Sequence, residues 1–163
     1  MSKHQTEIKR INGYLKEVTT FFDATGKPIS YVINPLMVEL KPRDILQIFV
    51  GSLLVSFSLC FTEEVWNLSI QLKSEKVLSL LLVSVFVITG FIYYNFYRFR
   101  LKGHVIEFFK RIFATYIICL SSVICVLFLI DKLPLDQPLI ALKRVIIIGF
   151  PSLFGAVISD QLK

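Results

Sequence analysis

Charge is missing from long stretches of this chain, and that absence says more than any motif present. Ile45–Thr62, Val77–Tyr97 and Ile112–Ile130, of 18, 21 and 19 residues, contain no Asp, Glu, Lys or Arg. A fourth run, Val145–Ser159, has 15 residues and reaches membrane length only when Lys143 and Arg144 are drawn in with it. About 20 apolar residues cross the hydrocarbon core of a bilayer. Backbone amides in lipid must be satisfied within the segment, so these runs are expected to be helices. Histidine is scarce too: His4 and His104 are the only two, and neither has metal-ligand spacing to a carboxylate or cysteine. With no glycine-rich phosphate loop and no Ser/His/Asp arrangement, neither an enzyme nor a cofactor site is expected. Three cysteines, Cys60, Cys119 and Cys125, all fall inside apolar runs, which argues against a disulfide framework. The first 43 residues lack an apolar signal-peptide core, so the first span itself is expected to direct insertion.

What is present fits an all-α membrane protein of four transmembrane helices with a small N-terminal cytoplasmic appendage. We expect spans at about 45–65, 77–97, 112–131 and 139–159, giving an extramembrane part over 1–43 and a membrane domain over 44–163. The 18 Lys and Arg against 12 Asp and Glu give a net charge of +6. The basic residues flank the spans, where they report topology and contact with anionic head groups, so the partner expected is the lipid bilayer and not nucleic acid. The 98–111 connection carries Arg98, Arg100, Lys102, Lys110 and Arg111, whereas Glu63–Lys76 carries only Lys73 and Lys76. Lysine and arginine accumulate on the cytoplasmic side. Both termini are therefore expected there, in the cell (inner) membrane, although Lys132, Lys143 and Arg144 on the other side run against the rule. Tyr93, Tyr94, Phe96, Tyr97 and Phe99 suit the inner aromatic belt, and Trp66 the outer one.

In the appendage, Ile8, Ile11 and Leu15 are spaced three and four apart, which predicts a short amphipathic helix within 1–16. Val18–Phe22 and Ile29–Ile33 are rich in β-branched and aromatic residues and bracket Asp23–Pro28, which predicts a β-hairpin. Asn67-Leu68-Ser69 matches a glycosylation sequon on the predicted outer side.

Polarity enters the spans in an ordered way. Ser52, Ser56 and Glu63 lie near one face of span 1, and Thr115, Cys119 and Ser122 near one face of span 3. Span 4 repeats Gly149, Ser152, Ala156 and Ser159, with Gly155 adjacent and Pro151 inside. Such small faces let helices approach closely; alternatively, their hydroxyls line a hydrated path at an oligomer axis. Span 2 is uniformly bulky and expected to be the most lipid-exposed. Lys143 and Arg144 are expected to snorkel, burying their stems while the charged heads reach the interface; alternatively, Glu63 or Glu64 pairs with Lys143 or Arg144, which lowers the cost of charge at membrane depth. Asp160 is expected to meet Arg98, Arg100 or Lys102. Glu63, Glu64, Lys143, Arg144, Pro151, Ser52, Ser56 and Asp160 are thus the candidate pore or charge-cluster residues.

Two segments, PRDILQIFVGSLLVSFSLCFTEEVW (42–66) and RVIIIGFPSLFGAVISD (144–160), carry a resemblance. An arginine precedes span 1, an acidic residue followed closely by tryptophan ends it, and the last helix is rich in Pro, Gly, Ala and Ser. Over about 42–160 the chain resembles an uncharacterised family of small prokaryotic integral membrane proteins. The resemblance implies a polytopic helical fold and transfers no functional residues. Members tend to be longer, with more spans, which implies that this chain works as a homo-oligomer. An ion channel or small-solute permeation protein is the specific expectation. The alternative is a non-conducting scaffold or accessory subunit that docks partners through its N-terminal region.

Overall fold

The computed structural model describes residues 4–23, 25–35, 39–98 and 103–162. The chain divides into two units, Met1–Glu39 and Leu40–Lys163.

The first unit is a three-stranded antiparallel sheet in the order β1-β2-β3, with β1 at His4–Ile11, β2 at Tyr14–Phe22 and β3 at Pro28–Pro35. The expected hairpin is there, as β2 and β3, closed by Asp23 and Gly26, whose N–H groups bond to Lys27 O and Asp23 O. The expected short helix is not: of the described residues within 1–16, His4–Ile11 form strand β1 and Tyr14 opens β2. Asn12 and Gly13, at φ of +53° and +82°, make the turn into β2. An Asn-Gly pair with both residues at positive φ matches the right-handed twist of the flanking strands and outweighs a three-and-four apolar spacing. Glu39 closes the unit, accepting from Arg10 at 2.8 Å and from the Leu15 N–H at 2.9 Å.

The second unit is helical. Helix α1 spans Pro42–Cys60, α2 Glu63–Gln71, α3 Ser74–Ile92, α4 Val105–Leu129 and α5 Pro138–Gln161. A π-helical turn, Tyr93–Tyr97, continues α3. All but α2 are long and apolar enough to cross a membrane, as expected of a four-span chain. The first span ends five residues earlier than predicted, because Phe61 and Thr62 leave the helix and Glu63 starts a separate one. The third begins seven residues earlier, at Val105, and so takes in Lys110 and Arg111.

Helices α1, α4 and α5 form the packed centre, and of the four spans α3 buries the smallest share of its residues and α5 the largest. The crossing of α1 and α5 is set by two glycines. A Cβ built on Gly155 would lie 2.5 Å from Val55 Cγ2 and 2.6 Å from the Gly51 carbonyl oxygen. Nothing larger than hydrogen fits there. The small stripes on α1, α4 and α5 meet across these contacts: Ser52 donates to Ser122 Oγ at 2.9 Å, and Cys119 points its thiol at the Gly149 carbonyl. Ser52, Ser56, Ser122 and Ser152 are fully buried. Where small residues face one another, backbones come close enough for dispersion and weak polar contacts to hold helices that lipid does not drive together.

Gly51→Leu or Gly155→Leu should therefore destabilise the bundle by at least about 1–3 kcal/mol through overpacking. Gly90, with open space where its Cβ would be, should accept alanine with unchanged or slightly raised stability. Thermal unfolding of the three variants in detergent micelles, followed by size-exclusion fluorescence, measures the contrast.

Candidate functional site

At one end of the bundle a single guanidinium ties helices together. Arg111, on the second turn of α4, is fully buried. Its Nε donates to Asp160 Oδ2 at 3.1 Å, and its Nη2 donates to Asp160 Oδ1 at 3.0 Å and Oδ2 at 2.8 Å. The same Nη2 donates to Asp44 Oδ2 at 3.2 Å. Asp44 sits in the first turn of α1 and Asp160 in the last turn of α5, both almost without solvent exposure. Asp44 also accepts the N–H of Lys41, the residue that precedes α1.

Helix polarity favours this arrangement. A carboxylate in the first turn of α1 faces the positive end of its dipole, and a cation beside the last turn of α5 faces a negative one. The π-helical turn supplies the remaining wall. Phe96 lies beneath Arg111, with the guanidinium carbon 3.8 Å from the ring centre, and the buried Tyr97 hydroxyl faces the same group. Tyr97 and Phe108 pack edge to face at 5.1 Å. Planar, weakly hydrated and always charged, arginine is the side chain suited to a site that offers a carboxylate fork on its edge and a ring on its face. Elements from all four spans thus converge on one side chain.

Arg111 and Asp44 stood outside the candidate residues. The signal for them was periodicity. Arg111 continues the Thr115, Cys119, Ser122 stripe backward by one turn. Asp44 does the same for Ser52 and Ser56 through Ile48, and Asp160 lies four residues beyond Ala156. All of these residues are buried. Asp160 was expected to meet Arg98, Arg100 or Lys102; the partner that holds its carboxylate is Arg111, within α4, and Arg100 and Lys102 lie outside the described residues.

The other end of the bundle departs from expectation. Glu63 and Glu64 are exposed on α2 and form no ion pair among the described residues, so the alternative pairing with Lys143 or Arg144 is not made. The basic side chains bind carbonyls instead. Lys143 Nζ donates to Leu72 O at 2.7 Å, and Arg144 donates from Nη1 to Lys132 O and from Nε to Ser69 Oγ at 3.3 Å. Helix ends and loops leave carbonyls without intrahelical partners, and a buried carbonyl competes well for a nearby cation. Trp66 serves the same need, donating to Cys60 O at the end of α1 at 3.0 Å. Asn67 lies within α2, and Ser69, the last residue of that sequon, is buried. Pro151 lies inside α5, which continues as helix on both sides of it. No group of His, Cys, Asp and Glu able to hold a metal occurs among the described residues.

Arg111→Met would leave two carboxylates buried without their cation, and should cost about 3–5 kcal/mol of stability. Asp44→Asn, which keeps the Asp160 fork, should cost less. Adding Asp160→Leu to Arg111→Met should recover part of the loss, because one of the two stranded carboxylates is then removed. Denaturation midpoints of the four proteins in one detergent give the comparison.

Comparison with curated proteins and with solved structures gives no match. A family model described as "Putative integral membrane protein (DUF2391)" matches residues 32–159. The matched region includes every membrane-length helix and, but for the final turn of α5, the whole helical unit, Asp44 and Arg111 among it. The chain belongs to this family of integral membrane proteins, DUF2391.

Proposed function

We propose that this integral membrane protein is a non-conducting assembly subunit that pairs with a second copy of itself through strand β3. The observation that carries the proposal is the composition of that strand. Pro28–Pro35 (PISYVINP) is an edge strand with no charged residue, and Ile29, Tyr31, Val32 and Ile33 are 67%, 62%, 44% and 50% exposed. Free sheet edges are ordinarily blunted by charge, as the opposite edge is by Glu7, Lys9 and Arg10 in β1. Strand β3 lacks that protection. Its sequence is self-complementary in an antiparallel sense, with proline at both ends, so two copies related by a two-fold axis close one continuous sheet that cannot propagate. A three-stranded sheet with so little enclosed apolar surface also gains from becoming six-stranded.

Helix packing supports the non-conducting part. The hydroxyls of Ser52, Ser56, Thr115, Ser122 and Ser152 bond to helix carbonyls or to one another within the chain. They are thereby engaged and do not line a wet path through one subunit. Permeation of ions or small solutes would have to run between copies.

The mass of the full-length protein in nanodiscs should correspond to two copies, and Ile33→Lys or deletion of residues 1–40 should halve it with the thermal stability of the helical unit unchanged. Liposomes holding the protein should show no ion flux above empty ones. Monomeric wild type would refute self-pairing, and a flux altered by reversing Glu63 and Glu64 to lysine would instead favour the channel.

A further inference from the structure

Between the ends of α4 and α5 lies a concavity of ≈390 Å³, lined by Asp131, Lys132, Leu133, Pro134, Leu135, Asp136 and Arg144. It sits at the opposite end of the bundle from Arg111, since Leu129, 18 residues after Arg111 on α4, lies about 27 Å further along the helix. Its volume falls at the small end of ligand sites, room for a head group and too little for a large cofactor.

From this cavity we infer a binding site for a lipid head group bearing both a phosphodiester and a primary amine, the phosphoethanolamine type. Arg144 is only 8% exposed, yet it lines the cavity. Its Nε and Nη1 are anchored on Ser69 Oγ and Lys132 O, while its Nη2 donors meet no acceptor among the described residues. An anchored guanidinium with free donors, aimed at a cavity, is a preorganised phosphate contact: its side-chain entropy is already lost, and the planar donor set matches phosphate oxygens. Lys132 is exposed beside it, its ammonium 4.5 Å from the Trp66 ring centre.

The two carboxylates decide the class of head group. Asp131 and Asp136 are exposed, line the same cavity and form no ion pair among the described residues. Two acids and two bases make the lining formally neutral, which disfavours an anionic head group and fits a zwitterion. A primary ammonium donates hydrogen bonds to carboxylates; a trimethylammonium has no N–H to donate. The source is a lipid and not a free phosphate ester because exposed leucines adjoin the polar lining. Leu129 and Leu139, at the facing ends of two spans, are 71% and 58% exposed, and Leu135, in the connection between them, is 73% exposed, an apolar rim suited to acyl chains.

Native mass spectrometry of the delipidated full-length protein with phosphatidylethanolamine, phosphatidylcholine and phosphatidylglycerol of matched chains tests the inference. Phosphatidylethanolamine should bind roughly tenfold more tightly than phosphatidylcholine, the worth of a charge-assisted hydrogen bond, and more tightly than phosphatidylglycerol. The double variant Asp131→Asn/Asp136→Asn should abolish the preference over phosphatidylcholine at unchanged Tm, because asparagine tolerates the φ of +55° at position 131. Lys132→Gln should weaken both zwitterionic lipids alike. Equal binding of the two zwitterionic lipids by the wild type, a preference for phosphatidylglycerol, or a preference that survives the double variant would overturn the site. Soluble glycerophosphoethanolamine binding as tightly as the lipid would overturn the bilayer source.

Discussion

A fully buried guanidinium has to find its counter-charges inside the protein, and Arg111 finds them at the two chain-distant ends of the membrane unit, Asp44 and Asp160. That requirement propagates. To bring the last turn of α5 and the first turn of α1 to one point on α4, α1 and α5 must cross with their backbones touching, and only glycine at 51 and 155 permits it. The face of α4 that follows Arg111 must then be small, which Thr115, Cys119 and Ser122 satisfy. Helix α3, outside this central trio, reaches the cluster through a π-helical turn that swings Phe96 and Tyr97 onto the guanidinium. Local π geometry inside an α-helix is costly and recurs where a side chain has to be re-aimed.

The two ends of the bundle handle polarity by opposite means. Around Arg111 one guanidinium is shared by two carboxylates away from solvent, and the Lys41 N–H gives Asp44 a further donor. At the other end Lys143 and Arg144 neutralise carbonyl dipoles, not acids, and the carboxylates of Glu63, Glu64, Asp131 and Asp136 stay in contact with solvent. The closed end confers specificity on the packing, since a helix slipped by one residue would strand a buried charge. The open end keeps unsatisfied donors and acceptors at the surface, where a ligand can meet them. Between the two ends the interior is joined by short hydroxyl bonds and glycine contacts.

The N-terminal sheet has a different basis. Two tight turns, Asn12-Gly13 and Asp23–Lys27, determine its register, and Glu39 fastens its end to Arg10 and Leu15. The family match begins within β3, at residue 32, so most of this sheet lies outside the matched region while almost the whole helical unit is inside it.

The sequence by itself determined the class of protein and the number of spans, because a bilayer imposes a length and an apolarity that a one-dimensional pattern records directly. It also determined which helix faces are small, through spacings of three and four. The N-terminal turn was legible as well, in Asn12-Gly13, but the apolar spacing around it obscured the signal. Only the tertiary structure decided which polar residue meets which. Asp44 and Asp160 lie 116 residues apart in the chain, and Arg111, at the edge of a basic connection, looked like a topology marker until the start of α4 moved back to Val105. Glu63 was assigned to a continuous first span, and a two-residue break after Cys60 turned it away from Arg144. Charge pairing depends on rotation and depth to within one helical turn, about 5.4 Å. Hydropathy locates a span to several residues, which is enough to count helices and too coarse to pair their charges.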